Sequence, residues 1–458
     1  MTRWKHLVVA GAIPVAALYI VGCYGCSTST EGASSSDGGA DAVPRPKLDA
    51  GYVDETSPGS PPDAGPVFGP EGWIRDDSFD PACGFYVAPS KDKLPPPIMW
   101  GGCDPSLSDA GLSCRQMALN WPPPSDGQSL SAPLDGSAAT NNSDGGVTLQ
   151  VTRFTKTFGY RLVADADGPV HQAVLETSKH CTLTRSSLKD HQVAYTAAEL
   201  APGGFGSIRW GALGGDIDEL HPRTLRNYPD TGDRDYLAGT SDFFENGPNG
   251  LNLYSWADGS LIQRLSLIPS DPGQVGQYWH QGDALFFTAS NSNFARIKIF
   301  TRANGMRDFV SFGNVISNSA ADFGTDGVNM AWIEASGRAT SADPWTAFNI
   351  MTAPYTTDPT AIVKRRLRSE DIGYFATAQF TVGCGYAAHQ FVSGTVGGVR
   401  IVRLSDGVSW KLSSKGSSGW NGPTALTCAE LFVNVVNGNE FNIARVRLDS
   451  LGPGIPPD

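Results

Sequence analysis

The chain is expected to fold as an all-β protein, and three observations lead there. Glycine (53) and proline (32) make up nearly a fifth of its 458 residues, well above the ~12% of ordinary proteins. Only 17% of the chain is charged against roughly 25% in an average soluble protein, so the residues that favour exposed helices are scarce. A hairpin of two alternating strands around a tight turn also recurs at a near-constant interval from about residue 150 onward. The 46 acidic residues outnumber 34 basic ones and leave a formal net charge of −12, which argues against nucleic acid, whose phosphates call for a basic face.

Arg3 and Lys5 precede an apolar run, Leu7 to Val21, and Gly22-Cys23 close it. A charged start, a short apolar core and a small residue before the break describe an export signal. The run falls short of the ~20 apolar residues that span a bilayer, so export rather than transmembrane insertion is expected. Ile20-Val21-Gly22-Cys23 resembles the lipobox of bacterial lipoproteins. That resemblance implies cleavage before Cys23, a diacylglycerol on its sulfur and, with Tyr24 rather than Asp next in the chain, an outer-membrane address in the cell envelope. Several acyl chains anchor stably where one does not. An ordinary secretory signal with an incidental cysteine is the plainer alternative, and Cys26 is a less well placed anchor.

The expected domains follow in order: a lipoprotein signal peptide (1–22), a lipidated cysteine with a linker (23–70), a Cys/Pro-rich segment serving as cap or first blade (71–149), and the repeats (150–458). Residues 27–70 carry seven acids, two bases and almost nothing to bury, the composition of a disordered tether. As a flexible coil it would reach about 35–40 Å.

Asp167-Gly168, Asp258-Gly259, Asn304-Gly305 and Asp406-Gly407 supply the positive φ angles of two-residue hairpin turns. Gly214-Gly215, Asp358-Pro359 and Asp449-Ser450 are weaker members of the series. Successive turns stand 43 to 54 residues apart. Seven units at this period predict a β-propeller of four-stranded blades, or six if the Gly214-Gly215 hairpin is misassigned; two β-sandwiches are the alternative. Strongly apolar stretches at Ala284–Thr288, Val328–Ile333, Gly385–His389 and Ala429–Val433 read as buried inner strands. After Leu448 little chain remains, so the last blade needs an outer strand from upstream, from Cys114–Trp121 or Val147–Val151. In repeat shape, without a diagnostic motif, residues 150–450 resemble bacterial propellers of the broad TolB-like and quinoprotein-like kinds.

Apart from Cys23 and Cys26, six cysteines remain in an exported chain, with no CxxC, so structural disulfides are expected rather than zinc. Cys384 and Cys428 stand at nearly equal offsets before their hairpin turns, which makes them the first candidate pair; Cys103 and Cys114, close in sequence, are the next.

Catalytic signatures are thin. G-x-S-x-G, H-E-x-x-H, the P-loop and G-x-G-x-x-G do not occur. Two acidic loops are weak metal candidates: Asp216, Asp218 and Glu219 beside His221, and Asp230, Asp233 and Asp235, whose spacing is not that of a calcium loop. Solvated loops in an acidic protein are the plainer reading, so no cofactor is expected, calcium being the one to consider. Trp256, Trp332 and Trp410 are expected to pack between blades. Lys364-Arg-Arg-Leu-Arg368, the only basic run, reads as a charged strand edge that discourages sheet pairing. The expectation is therefore a membrane-anchored, non-catalytic binding or scaffold module whose partner is an envelope protein or glycan. The alternative is a carbohydrate-active propeller enzyme using loop carboxylates, with paired acids roughly 5–10 Å apart; a cofactor-bearing quinoprotein relative ranks third.

Overall fold

The computed structural model describes residues 74–76, 85–87, 96–107, 112–118, 138–142, 144–154, 159–176, 181–183, 187–189, 192–199, 206–212, 220–225, 236–238, 242–247, 250–255, 257, 260–265, 274–290, 295–310, 318–337, 347–370, 380–393, 396–413, 418–437 and 440–457. The expected signal peptide, Cys23 and the expected linker lie outside them.

The described strands form seven antiparallel sheets. Sheet 1 holds Ala138–Asn141, Val147–Phe154, Gly159–Asp165 and Val170–Glu176, and Phe85–Val87 and Ile74–Asp76 extend its outer edge. Sheet 2 runs Ser187–Lys189, Gln192–Glu199, Gly206–Ala212, Leu220–Leu225, and Cys181–Leu183 also pairs with its second strand. Sheet 3 runs Tyr236–Ala238, Asp242–Gly247, Gly250–Ser255, Leu261–Leu265. In sheet 4 the order is Gln274–Gln281, Ala284–Ser290, Ala295–Thr301, Gly305–Val310. Sheet 5 contains Asn318–Thr325, Asn329–Ser336, Ala347–Pro354 and Arg365–Glu370. Sheet 6 contains Phe380–Gly383, Tyr386–Ser393, Val396–Arg403 and Ser409–Ser413. Sheet 7 starts with Ser418–Leu426, Glu430–Asn437 and Glu440–Arg447.

Each first strand lies against the first strand of the next sheet, and that of sheet 7 returns to that of sheet 1. The sheets thus close on themselves as a propeller, and the sandwich alternative falls. The anticipated turns at Asp167, Asn304, Asp358, Asp406 and Asp449 follow the third strands of their sheets, and Gly214-Gly215 and Asp258-Gly259 lie outside the described residues, between third and fourth strands. The doubtful hairpin at Gly214-Gly215 holds, because Gly206–Ala212 and Leu220–Leu225 pair across it.

Sheet 7 is completed from upstream. Cys114–Ala118 pairs with Glu440–Arg447, and Met99–Gly102 pairs with Cys114–Ala118. Of the two segments anticipated for this task, the first performs it; Val147–Val151 is instead part of the second strand of sheet 1, so the first blade begins before residue 150. A propeller closed this way ties distant parts of the chain into one sheet and leaves no three-stranded blade with a bare edge.

The apolar stretches read as inner strands are the second strands of sheets 4 to 7. A second strand is paired on both edges and covered by sheets on both faces, so it carries the densest apolar sequence. Seams between sheets are filled by large side chains: Phe286, Ile299, Phe309, Phe323 and Trp332 between sheets 4 and 5, Ile333, Ile350, Leu367 and Val402 between 5 and 6, and Val399, Trp420, Val433 and Val446 between 6 and 7. Burying one such side chain stabilises by about 1.5–3 kcal/mol before chain entropy is counted.

Candidate functional site

The weak metal candidates Asp216, Asp218, Glu219, Asp230, Asp233 and Asp235 lie outside the described residues. His221 sits on the outer strand of sheet 2 opposite Trp210, and its side chain is likewise outside. Among the described residues no group of three or more His, Cys, Asp or Glu is placed to hold a metal ion. Both anticipated disulfides are present: Cys384–Cys428 joins equivalent turns of sheets 6 and 7 with Cα atoms 5.0 Å apart, and Cys103–Cys114 spans 5.6 Å beside the hairpin that completes sheet 7. Trp332 is fully buried between sheets 4 and 5. Trp410 lies on the outer strand of sheet 6, where Nε1 donates to Gly452 O at 3.1 Å, and Trp256 is outside the described residues.

The basic run lies at the outer edge of sheet 5, the place expected of it, and has further partners. Arg365 and Arg366 are exposed, but Arg365 donates to the carbonyls of Leu404 (2.6 Å) and Ser405 (3.0 Å), and Arg368 to that of Pro456 (3.0 Å). It grips sheet 6 and the C-terminal tail as well as facing solvent. Guanidinium groups reach such carbonyls because their donors fork from a long stem.

Polar links of this kind recur along the end of the propeller that carries the turns between first and second strands and between third and fourth. Between sheets 3 and 4, Asp242 is buried beside Arg302, whose Nη2 donates to it, and His280, whose Nε2 stands 3.5 Å away. Burial alone would raise the Asp242 pKa, but those two partners outweigh it and hold the carboxyl below its ordinary value. Trp279 Nε1 donates to Thr325 O at 3.1 Å between sheets 4 and 5, and Gly385 N donates to Asp326 Oδ2 at 2.8 Å between 5 and 6. Between 7 and 1, Arg445 ion-pairs with Asp167 and Glu430 and lies over the rings of Trp100 and Phe432, while Trp100 Nε1 donates to Ala166 O at 2.7 Å. These charges hold neighbouring blades together.

On the inner face of sheet 6, His389 is 1% exposed and its Nδ1 donates to Gln390 O at 3.0 Å. Burial, reinforced by the charge of Arg400 across the strand pair and only partly opposed by that hydrogen bond, lowers its pKa to about 4. It is neutral at physiological pH. Arg400 in turn donates to Ser409 Oγ at 3.1 Å.

Asp322 stands apart from this pattern. It lies on the first strand of sheet 5 at a bulge: Ala321 pairs with Ile333 and Phe323 with Trp332, so Asp322 is the extra residue. Its φ is +52°, in the left-handed region, and it is 3% exposed. No described side chain or backbone group hydrogen-bonds its carboxyl. Burial alone pushes its pKa well above the ordinary carboxylate range. A left-handed non-glycine residue costs of order 1–3 kcal/mol, and such residues gather at functional positions; bulges do the same. Nothing in Ala-Ala-Asp-Phe-Gly marks this residue in the sequence, because the bulge arises from how two strands register. Arg445 was not singled out in the sequence either, since its strand, Glu440–Arg447, carries other polar residues.

No protein-family model matches the sequence, and no curated protein matches it. Solved structures do resemble it in shape. The β-propeller domain of the Trilobed protease from Pyrococcus furiosus is 10% identical, with 70% of this chain and 98% of that one covered and a TM-score of 0.44. For oligogalacturonate lyase from Vibrio parahaemolyticus the values are 10%, 82%, 96% and 0.43, and for puromycin hydrolase 14%, 79%, 58% and 0.43. The likeness extends to the propeller arrangement already described and no further.

Proposed function

We propose that the protein is an exported lipoprotein, anchored in the cell envelope through Cys23, whose propeller offers a binding or scaffold surface for an envelope protein or glycan without catalysing a reaction. The observation that carries the anchoring is the apolar run Leu7 to Val21 ending in Ile20-Val21-Gly22-Cys23. What supports the scaffold role is the use made of charge: most of the described buried charged side chains are spent on joining strands and sheets, as at Asp242, Arg400 and Arg445. The linker 27–70 would hold the body off the membrane at about 35–40 Å. Fractionation of cells expressing Cys23→Ser is the test. The variant should leave the membrane fraction or stall unprocessed; unchanged membrane partition and mobility would remove the reading.

Asp322 favours a second reading, a propeller enzyme acting on glycan. A carboxyl whose pKa is raised by burial is the kind of group that serves as general acid in glycoside cleavage. Purified protein assayed on a panel of polysaccharides, with Asp322→Asn alongside, separates the two. Hydrolysis that the substitution abolishes supports the enzyme, and no turnover by either protein supports the scaffold.

A further inference from the structure

The two disulfides are not equivalent. Cys384 and Cys428 are both exposed, whereas Cys103 and Cys114 are each half-buried. Cys103–Cys114 closes the hairpin that completes sheet 7, but Cys384–Cys428 spans two sheets. Cys384 and Gly385 form the two-residue turn between the first strands of sheet 6, with φ of +49° and +77°. That geometry is usually filled by Asn-Gly or Asp-Gly, and a cysteine in it is held in a disfavoured conformation. The surroundings enforce it. Gly385 N is held by Asp326 of sheet 5, and Gly383 is pressed so closely on sheet 7 that a Cβ there would meet Leu426 O at 2.0 Å. A disulfide that is exposed and held by a strained residue is the kind that exchanges readily.

We propose that Cys384–Cys428 is a thiol–disulfide exchange site, addressed by a dithiol reductant, and that opening it loosens the seam between sheets 6 and 7 while Cys103–Cys114 keeps sheet 7 complete. A thiolate of the dithiol attacks one Sγ, the sulfur–sulfur bond breaks, and the other cysteine leaves as a thiolate that takes up a proton. The second thiolate of the dithiol then attacks the mixed disulfide and releases the first cysteine, which is protonated in turn. Two electrons and two protons pass to the pair, and the reductant leaves as its own disulfide. The Asp326 contact to Gly385 does not depend on the bond, so the sheet 5 to sheet 6 side of the turn stays in place. The inference holds whether or not Cys23 carries lipid.

The test is graded reduction of the full chain with dithiothreitol, trapping thiols with an isotope-coded alkylating agent at each step and mapping the peptides. Cys384 and Cys428 should become labelled together at concentrations about tenfold lower than Cys103 and Cys114, a difference of ~30 mV for a two-electron couple. At that stage amide hydrogen exchange should rise at Cys384 and in 426–430 and stay unchanged at Gly385, held by Asp326, and in 114–118. Simultaneous reduction of both pairs, earlier loss of Cys103–Cys114, or selective reduction with no rise at either turn would overturn the proposal. The double variant Cys384→Asn, Cys428→Ser guards against a misfolding artefact, because Asn accepts the left-handed turn. It should reproduce the raised exchange of the reduced protein in 426–430, and an exchange pattern equal to that of the oxidised protein would show that the bond does not hold this seam.

Discussion

Asp322 and His389 respond to pH in opposite senses, and both are sealed in the propeller. His389 is neutral in the folded state down to about pH 4, while in the unfolded chain it takes a proton below ~6.5. The unfolded state therefore binds more protons between those values, and stability from this group is lost as pH falls through that window, by about 3 kcal/mol in all. Burial raises the Asp322 pKa in the folded state above its unfolded value of ~4, so the folded state binds more protons there and its contribution falls as pH rises above ~4. Asp322→Asn should therefore gain stability over the parent as pH rises above ~4, by at most about 1.4 kcal/mol per pH unit, visible as a widening gap in urea midpoints. His389→Gln should instead gain on the parent as pH falls from about 6.5 to 4, and parallel pH profiles for parent and variant in either case would show that the group is not sealed as described.

At the scale of elements, the hairpin Met99–Gly102 with Cys114–Ala118 does the work of a missing outer strand. Its hold on sheet 1 runs through Arg445 and Trp100. Arg445→Ala would leave Glu430, itself mostly buried, without a partner and uncover the Trp100 and Phe432 rings. We expect a loss of about 2–4 kcal/mol, measured by chemical denaturation, and a loss within a few tenths would mean that hydrophobic contact alone closes the ring. The C-terminal tail is a second fastening. Ile455 exchanges both backbone hydrogen bonds with Ser409, at 2.7 and 2.9 Å, and Pro456 O accepts from Arg368. Truncation before Gly452 should lower the melting temperature and raise exchange in Ser409–Ser413.

For the whole molecule, the staple between sheets 6 and 7 closes a span of 44 residues, which in the chain-entropy model stabilises by about 4 kcal/mol. Gly383→Ala probes the same seam without touching the disulfide: the added methyl would meet Leu426 O and Leu426 Cβ, so adjacent blades must part. A cost of about 1–3 kcal/mol is expected from such overpacking, and an unchanged denaturation midpoint would show that the seam yields freely.

Seven turn positions at a regular period, the two cysteine pairs and the upstream origin of the closing strand were legible in the residues. Turn chemistry and period are local properties: Asp-Gly and Asn-Gly favour hairpins wherever they stand, and 449–458 carry no alternating apolar stretch to pair as an outer strand. Which of two upstream segments closes the ring was not legible, because Cys114–Trp121 and Val147–Val151 both alternate suitably and only the pairing of Ala444 with Gln116 and Val446 with Cys114 decides it. The second rather than the first strand carries the most apolar sequence for a similar reason, since burial depends on what lies on both faces. Asp242, Arg445 and Asp322 acquire their character only when sheets meet. A carboxyl becomes an ion-pair partner or an acid of raised pKa according to the charges and the desolvation that neighbouring blades impose, and those are set by distances across the ring that no local stretch of sequence contains.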